Sequence, residues 1–256
     1  MTTSSDLYRR AFSGQRAPDR RTSDTVFRVA RSRIVGGDWP AGMRLDLEAI
    51  ARDLDVSQTP VREAVLRLEA DGFVTKLPYR GTVVRGVESS FIEEVFALRL
   101  RLEGLGARLA AHRRSDAHLA QMHSVLDRAT KEASKHDWDW QADANDRFHV
   151  LVAESGGAAE TARLISPLLR HTERFMLMLH LNIQMREVEP SHNAVVEAIE
   201  AGDGSEAERA IRTHLIDLFG EISRDRMSLN QLQFLPAVLS KSELLSLRAV
   251  WGSRRS

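Results

Sequence analysis

Three histidines in the second half of the sequence lie on apolar stripes of three separately predicted helices. His149 follows Asn145 by four residues, so both side chains lie on one helix face. His192 and His214 each lie among aliphatic residues at helical spacing. Buried imidazoles need partners, and three that converge would form a metal site completed by an oxygen ligand. For each histidine taken alone, the alternative is a core side chain hydrogen-bonded to the backbone, and His171 has the same spacing.

Arg99 is the second candidate for chemistry. It shares a predicted helical stripe with Ile92, Val95 and Phe96, so its guanidinium is either buried or folded over apolar surface. A buried cation needs an anion. The residues offer Glu103, four positions further on, as that anion in a simple ion pair, which would not prevent Arg99 from having a second role.

A different chemistry is predicted for residues 56–74, VSQTPVREAVLRLEADGFV. Ser57 is predicted to cap a helix that has Pro60 in its first turn, where the missing N–H costs nothing. The helix buries aliphatic residues and leaves polar side chains outward, namely Gln58, Thr59, Arg62 and, as a further candidate, Arg67. Such side chains can bind base edges or phosphates. A solvated surface helix without a ligand is the alternative.

The elements around this helix predict a winged helix-turn-helix. A helix over 24–36, capped by Asp24, and a short helix, DLEAIARDL, precede it. FVTKL and TVVRGV alternate around PYRG and predict a β-hairpin. In this arrangement the last helix enters the major groove and the wing reaches the DNA backbone, where Arg80 at the wing tip can meet phosphate.

From Ser90 onward the pattern is wholly helical. Ser90 and Glu93 form a predicted capping box before a long helix. Five more helices follow, which together predict an all-α antiparallel bundle; they span about residues 116–135, 138–155, 158–182, 187–201 and 205–227. The final stretch is apolar enough to dock, but the sequence assigns it neither a place nor a role.

Composition limits the possible classes of protein. The 256 residues contain 43% apolar residues, no cysteine and no apolar run long enough for a membrane span. Residues 1–86 contain 15 basic and 11 acidic residues, whereas the remainder contains 21 and 25 and all nine histidines. The start of the chain has no apolar run typical of a signal peptide, which predicts a cytoplasmic protein. The predicted organisation is a flexible tail (1–22), a DNA-binding domain (23–87), a helical domain (88–227) and an extension (228–256).

The sequence of residues 56–74, together with the YRGTVV segment that follows it, closely resembles the signature of the GntR family of bacterial transcription regulators. The resemblance covers about residues 24–86. It implies DNA contacts by Ser57, Gln58, Thr59, Arg62 and Gly81. Gln58 and Glu48 stand where family members often have arginine, which implies an operator that differs from the commonest one.

The motifs ALRLRLEGLGARLAAHR, NDRFHVLVAESGG and SHNAVVEAIEAGD resemble the FCD ligand-binding domain of the FadR subfamily over about residues 90–226. This resemblance implies a divalent metal, zinc first and nickel or manganese as alternatives, held by Asn145, His149, His192 and His214. Asn145 replaces the commoner carboxylate and is a weaker ligand, while Asp146 would point about 100° away on a regular helix. The resemblance also implies that Arg99 helps to hold an effector carboxylate beside the metal.

The sequence thus predicts a regulator that binds an inverted-repeat DNA operator as a homodimer, that responds to a small organic acid, and that has no membrane partner. One alternative keeps the DNA-binding dimer but gives it a structural metal, or none, and no effector. A remote alternative is a zinc hydrolase with a water at an open metal position. Against the hydrolase, no dedicated general base accompanies the histidines, since Glu154 and Glu197 both look ordinary.

Overall fold

A computed structural model of the chain describes residues 20–132, 138–181, 185–224, 226–227 and 231–252. The predicted N-terminal tail therefore lies almost wholly outside the described residues. The chain divides into two compact units, one of Met1–Val87 with Leu177–His180 and the other of Glu88–Met176 with Leu181–Ser256. Within the described ranges, no helix is long and apolar enough to cross a membrane.

The N-terminal unit contains three helices, α1 (Arg20–Val35), α2 (Leu47–Asp53) and α3 (Gln58–Ala70). Asp46 caps α2, where its carboxylate accepts the N–H groups of Glu48 and Ala49 at 3.0 Å. The prediction that Asp24 caps α1 is wrong, because α1 already includes Arg20 and Asp24 lies inside the helix.

A β-hairpin follows α3, as predicted. Strands β1 (Val74–Leu77) and β2 (Gly81–Val84) pair antiparallel, with Val74 opposite Val84 and Leu77 opposite Gly81. An isolated bridge between Arg44 and Val83 extends the sheet. Three helices and a two-stranded wing confirm the predicted winged helix-turn-helix.

All secondary-structure elements in the described part of the C-terminal unit are helices, which confirms the predicted all-α bundle. Helices α4, α5, α6, α8 and α9 share one apolar core, with α4 contacting α6, α8 and α9, whereas α7 packs on α4 and α6 in a second, smaller cluster. Their bounds are α4 (Ser89–Arg113), α5 (Asp116–Glu132), α6 (Trp138–Ser155), α7 (Ala159–Met178), α8 (Met185–Ala201) and α9 (Gly204–Ser223). The backbones of α4 and α6 approach closely at Gly106, where an added Cβ would lie 3.3 Å from Ala153 Cα.

The predicted capping box of Ser90 and Glu93 does not form. Helix α4 begins at Ser89, and its N-cap residue, Glu88, makes no side-chain capping bond. Glu93 is fully buried and its carboxylate instead accepts backbone N–H groups at 2.7–2.9 Å from three residues distant in sequence, Gln233, Phe234 and Leu235. A carboxylate that could close a local cap thus binds the C-terminal segment.

The C-terminal segment, residues 231–252, docks on α4 and α9. It forms a short 3₁₀ helix (Leu235–Ala237) and helix α10 (Lys241–Gly252). Arg212 of α9 binds both oxygens of Glu243, at 2.7 and 2.9 Å, and also donates to the carbonyl of Val238. Trp251 Nε1 donates to Ser223 Oγ at 3.2 Å. The segment that the sequence could not place is therefore tied to the bundle by charged hydrogen bonds.

Candidate functional site

The three predicted histidines meet inside the C-terminal unit. His149 comes from α6, His192 from α8 and His214 from α9, and all three are buried. Each offers a ring nitrogen, and these atoms lie within 4.8 Å of one another. His171 lies elsewhere, with its ring edge-to-face against Phe91 at 5.2 Å. Of the four histidines that share helical spacing with apolar residues, three thus come together and His171 does not.

The ring nitrogens of the triad differ in their partners. Nδ1 of His149 lies 2.6 Å from Glu103 Oε2, in a short contact that departs from ideal hydrogen-bond directionality. Nδ1 of His214 lies 2.9 Å from Ser191 Oγ. Among the residues that the structure describes, Nε2 of His149, Nε2 of His214 and both nitrogens of His192 are buried without a hydrogen-bond partner. Buried nitrogens of this kind are what a metal ion would satisfy.

The environment keeps the imidazoles of His192 and His214 neutral. Burial holds the pKa of His192 well below its usual range, and the neighbouring His149 and Arg99 act in the same direction. Burial likewise lowers the pKa of His214, although the carboxylate of Glu103 opposes the shift. A neutral imidazole has a lone pair to donate, so the donor set fits zinc or a similar divalent ion at neutral pH.

Arg99 and Glu103 form a buried ion pair beside the triad. This confirms the predicted pairing of Arg99 with Glu103. Arg99 Nε donates to Glu103 Oε1 at 2.6 Å, and Nη1 donates to Thr172 Oγ1 at 3.1 Å. Burial alone would raise the pKa of Glu103, but the charge of Arg99 and the close contacts with Arg99 and His149 outweigh it and hold the pKa at about 2. Within the described part of the chain, Arg99 Nη2 is buried with no hydrogen-bond partner. The ion pair therefore leaves one nitrogen of Arg99 for another anion.

Asn145 and Asp146 lie one turn before His149 on α6. Both are partly buried, and a side-chain hydrogen bond with Asn145 favours the ionised form of Asp146. Burial nevertheless raises the pKa of Asp146 to about 7, with Arg99 lowering it and Glu103 raising it. Asp146 thus lies close enough to the buried ion pair to sense both charges. Whether Asn145 binds a metal stays a prediction.

The outward face of α3 carries the residues predicted to contact DNA. Ser57, Gln58, Thr59 and Arg62 are all exposed. Arg62 Nη2 donates to Gln58 Oε1 at 3.0 Å, so the carboxamide orients the guanidinium. Ser57 occupies the N-cap position, but its side chain makes no capping bond, contrary to the prediction, which leaves its hydroxyl for an external acceptor or donor. These residues form one exposed polar surface.

Arg67 belongs to the scaffold of this unit. Its guanidinium pairs with Asp24 of α1 and lies over the Phe27 ring, 4.3 Å from the centroid. Arg67 faces outward, as predicted, but its guanidinium is engaged by α1.

The wing tip holds Arg80, between β1 and β2, and Gly81, the first residue of β2. Arg80 is exposed, and Gly81 has φ +72°, a conformation that residues with a Cβ rarely adopt. Tyr79, which the sequence did not single out, also has a positive φ, +61°, and a fully exposed ring. Gly81 thus serves the turn itself, whatever else it contacts.

Sequence reasoning missed three polar residues around the triad. It paired Glu103 only with Arg99 and did not anticipate the contact with His149. It did not identify Ser191 or Thr172, whose partners come from other helices. The spacing of four between Arg99 and Glu103 was the one signal in the sequence, since long-range contacts leave no periodic pattern.

Comparison with known families assigns both halves of the chain. Residues 22–84 match the family described as "Bacterial regulatory proteins, gntR family", and residues 94–217 match the FCD domain. A Paenarthrobacter nicotinovorans protein named "Probable D-xylose utilization operon transcriptional repressor" is 31% identical over 182 residues, covering 71% of this chain and 80% of the relative. The "HTH-type transcriptional repressor RspR" of Escherichia coli is 23% identical, covering 82% of this chain and 92% of the relative. These matches are transcription regulators and not enzymes, which removes the hydrolase alternative.

Solved structures share the fold. The Escherichia coli protein McbR/YncC superposes with a TM-score of 0.61 at 20% identity, over 80% of this chain and 99% of the other. Lar of Listeria monocytogenes gives a TM-score of 0.62 at 18% identity, over 82% of this chain and 99% of the other. At these identities the likeness concerns the fold alone.

Proposed function

This chain belongs to the GntR family of bacterial transcriptional regulators, in the FadR-like subfamily with an FCD domain, and from that premise we propose that it binds an inverted-repeat operator as a homodimer and responds to a small organic acid. The acid is held in the helical bundle beside a divalent metal, and its binding relieves repression. A DNA-bound bacterial regulator of this kind works in the cytoplasm.

The exposed face of α3 supports operator binding. Arg62 offers a planar fork that matches guanine or phosphate, and Gln58 orients it. Ser57 and Thr59 lie at the start of the helix, where hydroxyl groups meet phosphate oxygens, and Arg80 extends from the wing. Helix-turn-helix dimers place two such helices in successive major grooves, so the operator is a short inverted repeat.

The observation that carries the effector part is the meeting of three buried imidazoles with one buried arginine. His149, His192 and His214 would hold the metal, with Asn145 as an oxygen ligand on the same face as His149. The metal would supply a Lewis-acidic anchor for a carboxylate. Arg99 Nη2 supplies the second anchor, since no described residue accepts a hydrogen bond from it. An anion with two oxygens suits this pair.

Ligand binding changes operator affinity only through a difference between two arrangements of the reading heads. We expect the effector to lower operator affinity about 5- to 150-fold, the usual range of such coupling. The test measures binding to an operator selected from random DNA, with zinc-loaded protein and a library of small organic acids. Arg99→Lys keeps the charge but loses the fork, so the response should vanish, whereas Arg108→Met on the exposed side of the same helix should retain it.

A wild type that binds its operator but ignores every acid in the library would support the other reading, a dimeric regulator with a structural metal and no effector. Circular dichroism of each variant separates a lost response from a lost fold. A response that survives Arg99→Lys would remove Arg99 from the effector site.

An exposed leucine stripe supports dimerisation through the helical unit. Leu98 and Leu105 of α4 are two turns apart and are 46% and 47% exposed, and Leu102 between them packs on the core shared with α7. Leu164 of α7 is 43% exposed. Since two reading heads must be joined to read an inverted repeat, a second copy of this chain is the occupant that this stripe fits.

Charges on that stripe should separate the protomers. We expect Leu98→Glu with Leu105→Glu to convert the dimer into a monomer and to weaken operator binding about 100-fold or more, because one reading head loses its tethered partner. Analytical ultracentrifugation gives the mass and a DNA-binding titration the affinity. Leu245→Glu, at a leucine 62% exposed on α10, is the matched control and should leave the dimer intact. A dimer that persists in the double variant would place the interface elsewhere.

A further inference from the structure

The carboxylate of Glu103 lies between the buried arginine and a buried imidazole. Its Oε1 accepts from Arg99 Nε at 2.6 Å, and its Oε2 lies 2.6 Å from His149 Nδ1. Glu103 is 3% exposed, Arg99 1% and His149 2%, so no solvent competes for these contacts. All three residues are fixed by helices, Arg99 and Glu103 by α4 and His149 by α6.

We propose that Glu103 is a positioning residue for the metal centre, which holds His149 as the tautomer with its proton on Nδ1. This inference rests on the proposed metal site. A neutral imidazole carries one proton, and a carboxylate beside Nδ1 accepts it as a hydrogen bond. The lone pair then lies on Nε2. Neither ring nitrogen makes a regular hydrogen bond among the described residues, but Nδ1 has the 2.6 Å contact with the carboxylate, which a small rotation of the ring would align. His149 would therefore bind the metal through Nε2.

Arg99 makes this arrangement directional. Because Arg99 Nε occupies Oε1, and Thr172 holds Nη1 of the same guanidinium, the carboxylate is fixed from one side and presents Oε2 to the imidazole. An ion pair between residues four apart on one helix forms without any other side chain, so the contact of Glu103 with His149 is not required by the ion pair itself. A carboxylate that orients a ligand histidine raises the basicity of that ligand and fixes its ring.

The same feature occurs in a weaker form at His214. Ser191 Oγ lies 2.9 Å from its Nδ1, which again leaves Nε2 unpartnered within the described part of the structure. His192 has no hydrogen-bond partner at either nitrogen in that part. The centre thus has two imidazoles whose Nδ1 lies against another side chain. A hydroxyl can donate or accept, so only Glu103, the one charged partner that we find among the described residues at these rings, selects a tautomer.

The test combines tautomer spectroscopy with zinc affinity. Nitrogen-15 NMR of the metal-free protein reports which nitrogen of His149 carries the proton, and competition with a chromophoric chelator gives the zinc dissociation constant. Glu103→Gln keeps one acceptor oxygen and Glu103→Met keeps none at similar volume. We expect the Nδ1–H form in the wild type, a mixture in Glu103→Met, and zinc binding about 10- to 100-fold weaker in Glu103→Met, with Glu103→Gln between.

Glu208→Met is the matched control, because it removes a carboxylate that pairs with another arginine of α4, Arg108, and no histidine of the triad contacts it. It should leave both the tautomer and the zinc affinity as in the wild type. An Nε2–H imidazole at His149 in the wild type would overturn the proposal, as would equal zinc affinities in Glu208→Met and Glu103→Met. If Glu103→Met fails to fold, Glu103→Gln takes its place. A smaller fraction of the Nδ1–H tautomer than in the wild type supports the proposal, and an unchanged fraction together with unchanged zinc affinity overturns it. A wild type that binds no zinc would overturn the metal centre itself, and the tautomer measurement separates that result from a failure of Glu103.

Discussion

Replacing His149 and His192 by alanine should abolish metal binding, whereas the wild type should carry about one divalent ion per chain. Two of three converging imidazoles are lost, and the remaining His214 with an amide oxygen cannot satisfy a four-coordinate ion. Elemental analysis of both proteins, purified identically and reconstituted with zinc, nickel or manganese, measures the loss directly.

Metal binding should also stabilise the helical unit. A ligand present at about 100 times its dissociation constant adds about 2.7 kcal/mol to the free energy of unfolding, or about 5–10 °C in Tm for a unit of this size. The double variant should show no such shift on adding metal. His171→Ala removes a helical histidine outside the triad and should retain both the ion and the shift.

A wild type that takes up no metal after reconstitution with all three ions would contradict the metal-anchored effector site. Operator binding would survive that result, because it depends on other residues in the N-terminal unit.

Replacing Arg62 by alanine should weaken operator binding at least about 30-fold. A bidentate contact from arginine to guanine contributes about 1–3 kcal/mol, and a dimer makes the contact in both half-sites. Loss of Arg62 also leaves the Gln58 carboxamide without its partner. A fluorescence-anisotropy titration with the selected operator measures the change.

The pattern of the loss identifies what Arg62 contacts. A guanine contact predicts that Arg62→Ala relaxes specificity at one base position, whereas a phosphate contact predicts uniform weakening and a salt dependence reduced by about one unit of slope. Arg67→Ala, on the same helix, is the control: it removes the contacts with Asp24 and Phe27 and should lower stability by about 1 kcal/mol with operator affinity largely retained. Equal losses of affinity in both variants would show that α3 does not read DNA through Arg62.

Periodicity in the sequence was informative where the determinants are local. The spacing of apolar residues predicted α3, the hairpin and the helices of the bundle, because each element buries one face of its own period. The same spacing put His149, His192 and His214 on inward faces, and the structure brings their ring nitrogens within 4.8 Å. The sequence predicted that all three histidines face inward, but it did not predict the level along the bundle at which each one lies.

Local rules failed where a distant partner competed for the same group. Glu93 could have capped α4 with Ser90, yet the backbone of the C-terminal segment provides three N–H donors to its carboxylate. Asp24 fails as a cap for a different reason, since α1 begins at Arg20 and Asp24 lies within the helix. A buried carboxylate such as Glu93 binds whichever donors packing brings near, and those donors cannot be read from a short window of sequence.

The sequence by itself determined the two kinds of unit, the exposed polar face of α3 and the family, because helix period, turn residues and a specific motif are local properties. Only the tertiary structure decided which side chains lie beside the Nδ1 atoms of His149 and His214, that Glu103 joins Arg99 to His149, and that residues 231–252 dock through Glu93 and Arg212. Those features depend on side chains from different helices meeting at hydrogen-bond distance. Such distances follow from packing of the whole bundle and are not encoded in the spacing of residues along one helix.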